Sequence, residues 1–157
     1  MSVLAAGTKA PSFSLARADG GTFTEEDLLG RTTVMVFYPF AFSPVCTDQF
    51  QHYEPLVAEL AARDGVLVGV SCDATHSQSA FKDKLGVSSE QLSDFHPKGA
   101  TCEAFGVLHP GGFAERALVI TGPDGVVRWS YQADSPGELP SVDLLRSGIA
   151  AAYDQSA

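Results

Sequence analysis

Basic residues are scarce in this sequence. Ten Lys and Arg stand against 19 Asp and Glu, a formal net charge of -9, and no stretch gathers enough cations to neutralise a run of phosphates. No nucleic acid and no membrane surface is therefore expected as a partner. Long apolar runs are missing as well. Nothing approaches the roughly 20 residues of a membrane span. The short apolar stretch Val3 to Ala6 lacks a basic flank and falls below a signal-peptide core of about 7–15 residues. The mature chain is expected to begin at Met1 and to be cytoplasmic. Cysteine is sparse: Cys46, Cys72 and Cys102 are odd in number and widely spaced, which suits a reduced protein rather than a disulfide scaffold and leaves at least one thiol free. His52, His76, His96 and His109 show no metal-ligand spacing, so packing or surface roles are expected for all four and no metal is called for. Repeats, low-complexity tracts and linkers are absent too, and 157 residues make one domain, 1–157, with a single substantial core.

What is present reads as alternating strands and helices. Ala10 to Leu15, the turn residues Asp19-Gly20-Gly21 and Thr22 to Thr24 predict an N-terminal hairpin. Thr24, followed by Glu25, Glu26 and Asp27, predicts a capped one-turn helix that Gly30 ends. Thr32 to Tyr38 is a continuous β-branched and aromatic run, the pattern of a strand covered on both faces. Phe50, Tyr53, Val57, Leu60 and Ala61 recur at helical spacing within Val45 to Ala62, with a kink expected at Pro55. Val66 to Val70 predicts a second buried strand, parallel to the first across that helix. A helix over Thr75 to Leu85 with Ala80, Phe81 and Leu85 on one side follows, then a short one over Ala100 to Phe105. Arg116 to Thr121 and Val126 to Gln132 make a second hairpin around Gly122-Pro123-Asp124-Gly125, and Glu138 to Tyr153 a closing helix. Parallel and antiparallel strands with helices on both faces give a three-layer α/β/α arrangement with a mixed central sheet, whose ligands sit beyond the carboxyl ends of the strands.

Cys46 falls there, in the first turn of the helix after the central strand, where unpaired N–H groups and the helix dipole favour an anion. An ordinary thiol with pKa near 8.5 is only about 3% thiolate at pH 7, so complete ionisation gains at most ~30-fold in reactive species. Part of that gain is lost with nucleophilicity. Efficient nucleophilic attack needs donors that align the reacting atoms and stabilise the leaving one, each contributing ~10²–10³ in rate. Ser43 places a hydroxyl three residues before the thiol. Pro39, seven before it, has no N–H and can shield the sulfur.

Pro39-Phe40-Ala41-Phe42-Ser43-Pro44-Val45-Cys46, after a strand reading Val-Phe-Tyr, resembles the active-site motif of the peroxiredoxins. The resemblance spans nearly the whole chain, through Ala10 to Leu15, Gly69 to Asp73, and Leu92 to Phe95 with Ala104 to Val107. With Phe95-His96-Pro97-Lys98-Gly99, that last stretch is most similar to the one-cysteine alkyl hydroperoxide reductase E branch. It implies a thioredoxin-like domain that reduces hydrogen peroxide, alkyl hydroperoxides or peroxynitrite without metal, flavin or haem. It also implies a homodimer, with Phe40 and Phe42 facing the second subunit. Arg116, before the apolar run Ala117 to Ile120, matches the family's arginine in order, and Gln49 takes the place of the residue that orients it. A guanidinium can hold the thiolate and stabilise the departing hydroxide or alkoxide.

Taken singly these residues have plainer readings: an inert buried Cys46, a capping Ser43, an ion-paired Arg116, a solvated Gln49. The sulfenic acid left on Cys46 must be resolved by a second thiol. Neither Cys72 nor Cys102 stands at a familiar resolving position, which favours an external thiol, a low-molecular-weight one or a thioredoxin- or glutaredoxin-like protein. A two-cysteine cycle through Cys72, at the end of the adjacent strand, or through Cys102 is the alternative. A thiol-disulfide oxidoreductase would need Cys-x-x-Cys, which Cys46 lacks. A Cys-His hydrolase would need a histidine beside Cys46. A non-catalytic binding or chaperone module would not need Pro39, Ser43, Cys46 and Arg116 together.

Overall fold

A computed structural model describes residues 2–155; Met1 and the two C-terminal positions of the expected 1–157 domain lie outside the described residues. The N-terminal hairpin pairs β1 (Ser14–Ala16) with antiparallel β2 (Thr22–Thr24), and Gly20 takes φ +93° in its turn, open to glycine at no steric cost. Thr24 then caps a 3-10 turn over Glu25–Leu28. Its hydroxyl accepts from the Glu26 N–H while Asp27 accepts from the Thr24 N–H at 2.8 Å.

Strand β3 (Thr32–Phe37) is buried throughout, as its uninterrupted apolar and β-branched run predicts. It pairs in parallel with β4 (Gly65–Ser71), Val34 opposite Leu67, across the helix α1 (Pro44–Ala61). On its other side lies antiparallel β6 (Ala117–Thr121), which turns back into β7 (Val127–Gln132). Strand β5 (Glu90–Ser93) pairs in parallel with β4 and touches β1 at Ser93. No periodicity marks it, because Leu92 is its one apolar residue. The order β2-β1-β5-β4-β3-β6-β7 forms a seven-stranded mixed sheet.

Period-two alternation divides the core between the two faces of that sheet. Val34 and Val36 join Phe50, Leu56 and Leu60 of α1, Phe81 of α2 (Thr75–Leu85) and Leu145 of α4 (Val142–Asp154). Met35 and Phe37 face the other way, into Leu15, Phe23, Leu28 and Phe105, with α3 (Ala100–Ala104) alongside. Burying each large apolar side chain of this kind stabilises the fold by about 1.5–3 kcal/mol. The result is the expected three-layer, thioredoxin-like arrangement. Among the described residues no helix is long and apolar enough to cross a membrane.

Three local expectations are corrected. In α1 Leu56 rather than Ala61 completes the buried face, and Pro55 lies exposed within the helix, where water can satisfy the carbonyl its ring leaves without a donor. In α2 it is Gln78, not Ala80, that is buried beside Phe81; its Nε2 donates to Ser71 Oγ at 2.9 Å and to the Leu92 carbonyl at 2.7 Å. Helix α4 starts at Val142 instead of Glu138, because Pro140 disfavours helix before it and Ser141 caps the first turn, accepting from the Leu144 N–H at 3.0 Å. On β7 Trp129 is half-buried, packed against the same core face as α4.

Candidate active site

Between β3 and α1 the chain crosses the carboxyl end of the sheet. Tyr38 stays buried there, its N–H donating to the Val70 carbonyl at 3.0 Å and its Oη to Gln91 Oε1 at 2.8 Å. Burial pushes its phenol up. Asp73, just past β4, pins the loop: its Oδ2 accepts from the Ala41 N–H at 2.8 Å and from Ser71 Oγ at 2.7 Å. Phe42 then takes φ +70°, a left-handed conformation that costs a non-glycine residue about 1 kcal/mol. That turn delivers the chain into Ser43, the N-cap of α1, and Pro44, which has no N–H to leave unpaired at the first helical position. Cys46 thus lies in the first turn, where backbone donors lack helical partners.

Cys46 is fully buried, and Arg116 lies against it. The antiparallel register that sets Phe37 opposite Ala117 brings Arg116, the residue just before β6, to the same end of the sheet as the start of α1. Arg116 is 2% exposed, and its Nη2 donates to Cys46 Sγ at 3.2 Å. Nη1 donates to Gln49 Oε1 at 2.6 Å and Nε to the Pro136 carbonyl at 2.8 Å, so three edges of the guanidinium are held. Leaving such a buried charge without acceptors would cost several kcal/mol. Gln49 lies one turn beyond Cys46 on the buried side of α1, so it is no solvated residue. Its Nε2 donates to Tyr53 Oη at 3.4 Å, and Tyr53 Oη donates to the Pro140 carbonyl at 2.6 Å. Burial pushes Tyr53 up to about 12, which keeps its phenol protonated as a donor.

Ser43 makes no cap bond; its Oγ donates to the Phe40 carbonyl at 2.9 Å, beside the mouth of the site. Pro39 is buried. A groove of ≈ 250 Å³ is lined by Pro39, Phe40, Ser43, Phe113, Arg116 and Pro136. A small molecule in it would meet the guanidinium that contacts the sulfur. A cavity of similar size, ≈ 270 Å³, lies between α1 and α4 near Leu56, Glu59, Arg63 and Arg146 and is lined by no thiol.

The structure therefore gathers Pro39, Ser43, Cys46, Gln49 and Arg116 in one place. Cys72 and Cys102 lie elsewhere, in the core on the opposite face of the sheet from Cys46. Sequence reasoning missed Asp73, Tyr53 and the Pro136 carbonyl. Tyr53 carried a signal, seven residues from Cys46 on the apolar side of a helix. Pro136 carried none, since every residue has a carbonyl.

A profile described as the AhpC/TSA family matches residues 6–130. Peroxiredoxin Bcp of Escherichia coli is 32% identical over 142 residues, covering 90% of this chain and 86% of that protein. Alkyl hydroperoxide reductase E of Mycobacterium bovis is 26% identical over 151 residues, covering 95% and 98%. Among solved structures, AhpC of Enterococcus faecalis superposes with a TM-score of 0.84 at 25% identity over 99% of this chain and 96% of that one. AhpC of Mycobacterium tuberculosis gives 0.85 at 23% identity, over 98% and 95%, a likeness of fold.

Proposed function

The chain belongs to the AhpC/TSA family and is a peroxiredoxin, and on that premise we propose that it runs a one-cysteine peroxidase cycle on Cys46. The observation that carries this reading is the contact of Arg116 Nη2 with Cys46 Sγ at 3.2 Å, held by Gln49 and Pro136. The Cys46 thiolate attacks the terminal oxygen of R–O–O–H. The S–O bond forms as the O–O bond breaks, giving Cys46 sulfenic acid and an alkoxide (hydroxide for hydrogen peroxide) that takes up a proton. Arg116 donates to the sulfur and to the leaving oxygen, Ser43 bridges sulfur and peroxide, Pro39 keeps water from the thiolate, and Gln49 orients Arg116. Hydrogen peroxide, alkyl hydroperoxides and peroxynitrite all present the weak O–O bond this step requires.

An external thiol then condenses with the sulfenic acid, releasing water, and a second thiol frees Cys46 as a disulfide leaves. The seating of Cys72 and Cys102 across the sheet supports an external reductant, a small thiol or a thioredoxin- or glutaredoxin-like protein. A two-cysteine route would require either sulfur to cross the layer of β3 and β4. The whole chain acts as one domain in the cytoplasm, and a second copy covers Phe40 and Phe42, which are 48% and 49% exposed beside the groove. Sedimentation at working concentration checks the dimer.

Stopped-flow mixing of the reduced protein with hydrogen peroxide tests the cycle. Oxidation far faster than that of a free thiol is expected, and its loss in Cys46→Ser. A wild-type rate equal to that of free cysteine, or an unchanged mutant, refutes the peroxidase role of Cys46. Mass spectrometry after one equivalent of peroxide should find sulfenic acid on Cys46, and a Cys46–Cys72 or Cys46–Cys102 disulfide would overturn the one-cysteine assignment.

A further inference from the structure

Two of the three thiols take no part in that cycle, yet the fold brings them together. Cys72 follows β4, and Cys102 lies in the first turn of α3. Their sulfurs and a carboxylate oxygen of Asp94 all lie within 4.8 Å of one another, and all three residues are buried. Asp94 has a complete structural explanation: Oδ1 accepts from the Thr101 N–H at 3.0 Å and Oδ2 from the Cys102 N–H at 2.8 Å, so the carboxylate caps α3 and fixes the backbone of Cys102 beside Cys72. The carboxylate also stands beside the Cys102 thiol, and the two sulfurs lie within the same 4.8 Å.

We propose that Cys72 and Cys102 form a second redox site, a dithiol that peroxide closes to an intramolecular disulfide independently of Cys46. The two sulfurs are not equivalent. Cys102 is fully buried, whereas Cys72 keeps 7% of its surface, so an oxidant meets Cys72 first. The neighbouring Cys102 thiol, helped by the charge of Lys98, draws the Cys72 thiol down, while Cys72, burial and Asp94 push the Cys102 thiol up. Cys72 is thus the attacking sulfur and Cys102 the proton-bearing one.

The chemistry balances with the peroxide that a peroxiredoxin already consumes. The Cys72 thiolate attacks one peroxide oxygen, the O–O bond breaks, and the departing hydroxide or alkoxide takes a proton, leaving Cys72 sulfenic acid. The Cys102 sulfur then attacks Cys72, the S–O bond breaks, and its oxygen leaves as water with the Cys102 proton. Two thiols give up two electrons, and the peroxide accepts them. An S–S bond is about 2.05 Å long, so the side chains must close the remaining gap by rotation and a small shift of the short α3. The site does not depend on the cycle proposed for Cys46: either can fail alone.

Trypsin separates the three thiols, since Cys46, Cys72 and Cys102 fall in the fragments 32–63, 64–82 and 99–116. Reduced Cys46→Ser protein is treated with hydrogen peroxide, alkylated with iodoacetamide and digested without reductant. The expected result is a linked 64–82/99–116 pair in place of the two alkylated peptides, reversed by dithiothreitol and absent after Cys102→Ala. The wild type, whose folding is not in question, should give the same pair with 32–63 unlinked to either. The proposal is overturned if both peptides remain alkylated at a peroxide dose that fully oxidises Cys46 in the wild type, or if oxidised Cys72 stops as sulfinic acid. A 64–82 or 99–116 peptide linked to 32–63, or one equivalent of zinc in the isolated protein that Cys72→Ser releases, would overturn it as well.

Discussion

Arg116→Met separates two ways in which a guanidinium could speed the attack on peroxide. If Arg116 served only to keep sulfur ionised, every reaction of Cys46 that runs through the thiolate would slow by the same factor. If it also stabilises the departing oxygen, the peroxide reaction loses a further ~10²–10³, the usual effect of one preorganised donor. Alkylation by iodoacetamide needs the thiolate but releases no oxygen, so it reports the first effect alone. Both rates can be measured on one preparation, by stopped-flow peroxide oxidation and timed alkylation with mass readout. The side chain also satisfies Gln49 Oε1 and the Pro136 carbonyl, and each buried acceptor left unpaired costs about 1–3 kcal/mol. Relief from burying the charge offsets part of that. Urea denaturation should therefore show a loss of a few kcal/mol at most. Arg116→Lys guards against misfolding: it keeps the charge but cannot serve three acceptors in one plane, and its peroxide rate should fall between the other two. Equal fold-losses in the two reactions of Arg116→Met would refute the leaving-oxygen role, and an unchanged peroxide rate would remove Arg116 from the site.

Ser43→Ala should slow peroxide oxidation by about 10² with stability within about 0.5 kcal/mol of wild type, because the hydroxyl makes no helix-capping bond; stopped-flow and urea titration check the two halves. Gly148→Ala should destabilise by about 1–3 kcal/mol despite alanine's better helix propensity, since its Cβ would stand 2.6 Å from the Trp129 ring, and thermal unfolding reads the sign. Burial raises the Asp94 carboxyl, so between its unfolded and folded pKa the native state holds a proton that the unfolded chain has lost, and stability falls as pH rises through that window. Asp94→Asn has no such proton. Urea titrations of both proteins from acid to neutral pH should show the mutant gaining on the wild type as pH rises, and a constant difference would refute the assignment.

Legibility from sequence tracked how local the determinant was. The runs Thr32 to Phe37 and Gly65 to Ser71 announce buried parallel strands by composition, and the Pro39 to Cys46 spacing announces the site. Strand β5 was silent because Glu90-Gln91-Leu92-Ser93 owes its extension to neighbours on both sides rather than to its own side chains. Gln78 carries no mark of burial in its own segment, and Gln49 is marked only by its place in the motif; tertiary partners account for the burial of both. The separation of Cys46 from Cys72 was hidden for another reason. Adjacent parallel strands suggest nearness, but which face a residue takes after a strand ends is set by packing.

The two carbonyls that complete the site come late in the chain. Arg116 donates to Pro136 and Tyr53 to Pro140, so the network that steadies Cys46 closes only when the segment leading into α4 has docked. A polypeptide emerging from the ribosome would expose Cys46 long before those acceptors exist. On the proposed cycle, reactivity toward peroxide matures with the fold, and a chain truncated ahead of Pro136 would carry the motif without its chemistry.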